Sequence, residues 1–308
     1  MPLPVLHQAS PAWRRPAVAS IRARAHRGLA LLALTALAAC AQQPADTPAE
    51  ADPGAVADAA EARAHAHMTA EPPEWDETYA AFEVAAEAGS STAMSHLGWM
   101  YEEGHGVAAD GERAAYWYAR AARAGAHDFA VKLGWMYLAG DGVARDRQQA
   151  ERWFREAIDA GHQPGRIALA SVLVSDAVGG REPARVAEAR ELLEVALDDG
   201  YATASYFLAR LYIEGIGGHR VDPELAARYT RIGAESGDAR MQGWLGWMLA
   251  HGEGVARDRV EAAKWANLAA ADGDGFGNDL RLALEAEMPS EDVRAARERA
   301  VNWALARR

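Results

Sequence analysis

The residue types that could do chemistry are present in this chain, but their spacings keep them apart. Its two lysines, Lys132 and Lys264, are preceded three places earlier by Phe129 and Glu261, so a Ser-x-x-Lys pairing of nucleophile and base is absent. The histidines are scattered singly, and no Ser-His-Asp constellation can be assembled from them. Gly-x-Gly triplets at 104–106, 140–142 and 252–254 have the spacing of phosphate-cradling loops. They follow a helical periodicity instead of a strand, however, and read as turns. Asp272-Gly273-Asp274-Gly275-Phe276-Gly277-Asn278 puts glycine at the sixth place of a calcium loop, yet Phe276 takes the fifth and Ala283 the twelfth, where oxygen ligands belong. His65-Ala66-His67-Met68 offers two imidazoles with no further ligand nearby. No catalytic residue, metal or cofactor is therefore assigned. What remains are Trp99, Trp135 and Trp247, large flat side chains suited to stacking on a peptide or on sugar rings.

Those tryptophans stand inside a recurring phrase. Leu97-Gly98-Trp99-Met100-Tyr101 returns as Leu133-Gly134-Trp135-Met136-Tyr137 and as Leu245-Gly246-Trp247-Met248-Leu249, with degenerate copies at Leu169-Ala170 and Leu208-Ala209. Successive copies lie 36, 36, 39 and 37 residues apart, the period of two-helix solenoid repeats. Within a copy, Ala130, Leu133, Gly134, Met136 and Tyr137 fall at helical spacing, Gly140-Asp141-Gly142-Val143 breaks it, and Asp146 opens a second helix as its N-cap. The second helix carries an alanine and, three residues on, a large side chain: Ala114/Trp117, Ala150/Trp153, Ala189/Leu192, Ala226/Tyr229 and Ala262/Trp265. That spacing puts both on one face, where small meets large across the packing. A single unit of this kind cannot bury its apolar face, so neighbours must stack.

The pattern Ala, Leu-Gly-x-Met-Tyr, Gly-x-Gly-Val, Asp, Ala-x-x-Trp, Ala-Ala, Gly resembles the Sel-one-like repeat, a relative of the tetratricopeptide repeat. The resemblance covers roughly residues 74 to 306. It implies an all-α fold, a right-handed α-solenoid of about five helix-turn-helix repeats with capping helices. It also implies a non-enzymatic interaction scaffold, often of bacterial envelopes, in which helix A, the first helix of each repeat, lines a concave groove and helix B is the second. The third copy departs from the pattern, because Val178-Gly179-Gly180-Arg181-Glu182-Pro183 replaces the turn phrase, and a local distortion is expected there. Trp75 to Gly89 reads as a lone N-terminal helix B, and Leu280 to Glu287 with Val293 to Leu305 as a closing pair.

Ahead of the repeats the chain changes character. Residues 1 to 27 carry five arginines and no acid, Gly28 to Ala39 is apolar, and Leu37-Ala38-Ala39-Cys40 resembles the bacterial lipobox. The apolar run is about half the ~20 residues a spanning helix needs. The expected organisation is a lipoprotein signal peptide over 1–39, lipidation at Cys40, a disordered Ala/Pro/acidic tether over 40–73, the solenoid over 74–288, and a C-terminal capping helix over 289–308. Ala41 after the cysteine, in place of Asp, resembles lipoproteins sorted to the outer membrane, which implies an outer-membrane lipoprotein facing the periplasm. Cys40 is the only cysteine, so no disulfide framework exists and stacking alone must stabilise the repeats. The formal net charge of −12 falls to about −17 once the five leader arginines are set aside, and with no Arg/Lys stripe this disfavours nucleic acid.

The x of Leu-Gly-x-Met-Tyr lies away from the Leu/Met stripe and is filled by Trp99, Trp135, Ser171, Arg210 and Trp247. The three tryptophans either project into the groove or bridge adjacent A helices as core. Arg210, Lys132, His96 and Glu214 are the further groove candidates. The function expected is binding of a protein or peptide in the groove by a lipid-anchored envelope scaffold. The alternative is a peptidoglycan or polysaccharide binder using a tryptophan ladder, and an envelope hydrolase is a remote third.

Overall fold

The computed structural model describes residues 52–218 and 220–307. Cys40, its lipobox and the leader lie outside them. Helix pairs follow one another along the chain: α1 (Pro53–Met68) with α2 (Trp75–Glu87), α3 (Ser91–Glu103) with α4 (Gly111–Arg123), α5 (Asp128–Ala139) with α6 (Arg147–Asp159), and α7 (Gln163–Val178) with α8 (Val186–Asp198). α9 (Ala204–Glu214) with α10 (Pro223–Ser236) and α11 (Ala239–His251) with α12 (Arg259–Ala271) continue the series, and α13 (Gly275–Glu287) and α14 (Ser290–Leu305) close it. Among the described residues there is no strand, and no helix is long and apolar enough to cross a membrane. The architecture is an all-α solenoid of helical repeats.

The recurring phrase builds each pair. Its leucine and methionine are buried in every full copy, with Leu97, Leu133 and Leu245 fully inaccessible, and the Ala/aromatic pairs of the second helix are buried as well. Gly134 has a steric role, because a Cβ there would stand 2.2 Å from Cε1 of Phe154 on α6. Gly98 meets Tyr118 of α4 in the same way, at 2.5 Å. Each glycine thus admits an aromatic ring of helix B against the backbone of helix A. Gly140, at φ 78°, ends α5 in the left-handed region that a Cβ disfavours. Asp146 Oδ1 then accepts from the amides of Gln148 and Gln149 at 2.9 and 3.1 Å and starts α6. Asp110, Asp222 and Asp258 cap α4, α10 and α12 likewise.

Three expectations need correction. The stretch 40–73 is not a tether throughout, since residues 53–68 form α1, with Ala57, Ala60 and Ala64 buried and the helix lying against α2. Its composition lacks aliphatic bulk, but alanines three and four places apart make one flat face that approaches a neighbour closely. The lone helix B at the N-terminus consequently has a partner. At the other end the closing helices begin earlier than read, at Gly275 and Ser290, and both lie against α12, tied together by Glu285 and Arg297 at 2.9 Å.

The third copy is distorted as its sequence implies. α7 runs to 16 residues, Glu182 adopts φ 43°, and a short 3-10 turn at Pro183–Arg185 leads into α8. Arg185 holds the segment down by donating to both oxygens of Glu151 on α6 at 3.0 Å and to Glu188 on α8 at 3.1 Å. The buried apolar side chains form two clusters that meet at α6, where Trp153 and Ala157 belong to the N-terminal one and Ala150 and Phe154 to the C-terminal one.

Candidate functional site

The x positions of helix A are neither core nor free. Trp99 and Trp247 are half-buried, and Trp135 is 43% exposed, although the leucine and methionine flanking each are buried. Helical geometry explains the contrast: in Leu-Gly-x-Met-Tyr the leucine and methionine are three apart and share the packed face, which turns x toward the edge of it. Each indole leans on a local partner. Trp99 lies 4.6 Å from the His105 ring, which stacks in turn on Trp75 at 4.4 Å. Trp135 meets Phe154 edge-on at 5.2 Å, and Trp247 stacks on His251, one turn further along α11, at 4.5 Å.

The polar candidates divide. Lys132 on α5 donates to Glu102 on α3 at 2.6 Å and to the Tyr118 hydroxyl at 3.1 Å, and that hydroxyl donates to Glu102 at 2.5 Å. Burial, and then the bond to Glu102, pushes the Tyr118 hydroxyl above its ordinary value, so it stays protonated. Lys132 therefore ties two repeats together beside Trp99. His96 stacks on Phe82 at 4.5 Å, stands edge-on to His65 of α1 at 5.1 Å, and pairs its Nδ1 with the Thr92 carbonyl at 2.9 Å, which commits it to seating α1. Arg210 and Glu214 form a two-bond pair one turn apart on α9, at 2.8 and 3.2 Å. Burial alone would lower the Arg210 value, but the bond to Glu214 outweighs it, so the guanidinium is held charged.

Two cavities adjoin this face. One, of about 510 Å³, is lined by Met68, Ser95, His96, Trp99, Phe129 and Lys132. The second, of about 590 Å³, lies between α5 and α7, with Trp135 and Ser171 on its wall and Asp176 at its charged end. Sequence reasoning did not anticipate either, nor the Lys132–Glu102–Tyr118 cluster, because both depend on which repeats abut. One signal was readable: Ser171 is the single small side chain in the x series, and the second cavity sits where its bulk is missing. Among the described residues no three His, Cys, Asp or Glu side chains converge as metal ligands.

Sel1 repeats are recognised at residues 91–125, 127–162, 202–238 and 239–274. This is a Sel1-repeat protein. The unmatched interval between the second and third of those segments is the distorted copy, which still supplies a helix pair, α7 and α8, to the solenoid. The fold is similar to that of c5321, a protective antigen of uropathogenic Escherichia coli with an SLR fold, at 25% identity and a TM-score of 0.64 over 82% of this chain and 52% of that one. The Sel1-repeat chain thus spans about half the antigen's length. It is also similar to a Sel1 repeat protein from Oxalobacter formigenes, at 25% identity and a TM-score of 0.59 over 80% of this chain and 99% of that one. A sequence search of the curated proteins gives no match. Sel1-repeat proteins in general mediate protein–protein interaction.

Proposed function

We propose that this Sel1-repeat protein is a lipid-anchored scaffold of the bacterial envelope, held at the periplasmic side of the outer membrane through Cys40, and that the A-helix face bearing Trp99, Trp135 and Trp247 binds an extended segment of another protein. The observation that carries the binding face is the incomplete burial of these three indoles at equivalent places, Trp135 the most open, while their Leu and Met neighbours are buried. Aromatic side chains left partly solvated at equivalent places of a repeat are the anchors a partner desolvates.

Alanine at each of the three positions should leave the melting temperature close to that of the parent, far from the about 3 to 5 kcal/mol lost when a fully buried indole is deleted. Photo-crosslinkers placed at Ser95 on the A-helix face and at Glu112 on α4 supply the binding readout. Discrete protein adducts from Ser95, absent from Glu112 and weakened by about 30-fold in affinity for each Trp variant, are expected, corresponding to about 2 kcal/mol per anchor. Collapse of the melts in all three variants would return the indoles to the core. Co-sedimentation with purified cell wall, lost in the same variants, would replace the peptide by a glycan.

The anchor rests on the position of Cys40 at the end of an apolar run. Cys40→Ala should abolish acylation and membrane fractionation while the circular dichroism of the repeats is unchanged. An unmodified Cys40 in membrane-bound protein, read by mass spectrometry, would remove the anchor from the proposal.

A further inference from the structure

The cavity between α5 and α7 has on its wall the one small side chain of the x series. Ser171 stands where Trp99, Trp135, Arg210 and Trp247 fill the equivalent places, so it leaves room beside Trp135 that a bulkier residue at x would reduce. The apolar part of the lining comes from Trp135, Leu138 and Val172, and the charged part from Arg145, Arg147, Asp176, Arg181 and Glu182, the last paired with Arg185 at 3.0 Å. Asp176 is 5% exposed and is neutralised within the wall, by Arg181 at 2.9 and 3.0 Å and by Arg147. Arg145 is different. It is exposed, on the turn before α6, and no hydrogen bond or ion pair holds it among the described residues. An uncompensated guanidinium thus faces a cavity walled by an open indole, on a chain whose net charge is −12.

We propose that this cavity is the specificity pocket of the binding face, and that it takes an Asp or Glu side chain of an extended peptide, with the carboxylate on Arg145 and an adjacent aromatic or branched side chain on Trp135 and Val172. The proposal rests on the reading that the A-helix face binds protein segments. A planar fork of donors beside an apolar wall recognises a carboxylate flanked by apolar surface. A volume of about 590 Å³ accommodates two side chains and no folded element. An internal acidic residue fits better than a chain end, because equivalent x positions continue on both sides of the pocket, at Trp99 and at Arg210. Neighbouring A helices are about 10 Å apart, or about three residues of extended chain. A peptide crossing the face therefore continues past the pocket.

Selection of a random, C-terminally amidated peptide library on the full chain tests this. Expected is at least a five-fold enrichment of Asp or Glu next to an aromatic or branched residue. Arg145→Glu should erase that acidic preference or invert it toward Lys and Arg. Ser171→Trp, which refills the cavity with the residue usual at x, should erase it with Arg145 intact, and unchanged melting of both variants keeps the comparison valid. Acidic enrichment that persists in Arg145→Glu overturns the pocket assignment. Peptides selected without regard to charge, yet lost in Trp99→Ala and Trp247→Ala, overturn it while leaving the binding face standing. No selected peptide at all, with binding of soluble muropeptide instead, overturns both.

Discussion

Gly134→Leu is expected to destabilise the solenoid by about 3 kcal/mol, at the upper end of the cost of overpacking. The reason is positional. Even the first carbon of the new side chain would sit 2.2 Å from the Phe154 ring, and Phe154 is fully buried, so it has no solvent side to retreat to. Relief requires α5 to move off α6, which also disturbs Leu133 and Met136 on the same face. Gly246 provides the contrast, because a Cβ there comes no closer than 3.0 Å to its neighbours, so alanine at Gly246 should cost clearly less than alanine at Gly134. Chemical denaturation of the variants measures both. Equal midpoints for Gly134→Leu and the parent would show that the helix pair does not close on this glycine.

The second large effect is expected at Arg185, a residue with no part in the repeat pattern. Its guanidinium serves Glu151, Glu182 and Glu188 at once, across three segments. Arg185→Met keeps much of the side-chain bulk but leaves Glu151, 18% exposed, without its main partner. Breaking a fully buried pair costs about 3 to 5 kcal/mol. With Arg185 itself 27% exposed, about 2 kcal/mol is expected here. The loss is pH-dependent with a definite sign. Burial pushes the Glu151 and Glu188 carboxyls up, but the hydrogen bonds and charges of Arg185, with Arg147 and Arg155, outweigh it and hold both below the ordinary 4.5. A carboxyl held low in the folded state contributes stability that is fully present above its unfolded value and lost as pH falls through its folded value. The gap between parent and variant should therefore be widest near neutral pH and close as pH drops below about 4.5. A gap constant from pH 7 to pH 3.5 would show that the arginine acts through packing alone.

How far the sequence could be read follows from what each residue answers to. Leu133, Gly134, Ala150 and Trp153 obey a local period, so their burial and the helix pairs they build were legible. The weak third copy was legible too, as a broken turn phrase that became Glu182 at positive φ. Helix α1 was missed because alanine counts as little apolar surface by composition, whereas its value lies in the close approach of Ala60 and Ala64 to the neighbour. His96 and Lys132 stand on helix A by period, whereas their contacts with Phe82 and with Glu102 come from other repeats and carry no sequence period. The burial of the tryptophans, partial at Trp99 and Trp247 and slight at Trp135, lies between the two alternatives open to the sequence, because x sits at the margin of the packed face.

The meeting of two apolar clusters on α6 bears on how the molecule opens. Amide exchange proceeds through cooperative units that unfold separately, and a chain whose core is divided has more than one such unit. Helices α1 to α5 and helices α7 to α14 should therefore exchange with two distinct protection levels, α6 sharing in both because Trp153 serves one cluster and Phe154 the other. A segment bound from Trp99 to Trp247 would span that division. It would raise protection along α6 beyond Arg147, the one residue of that helix on the pocket wall, by joining two separate openings into one.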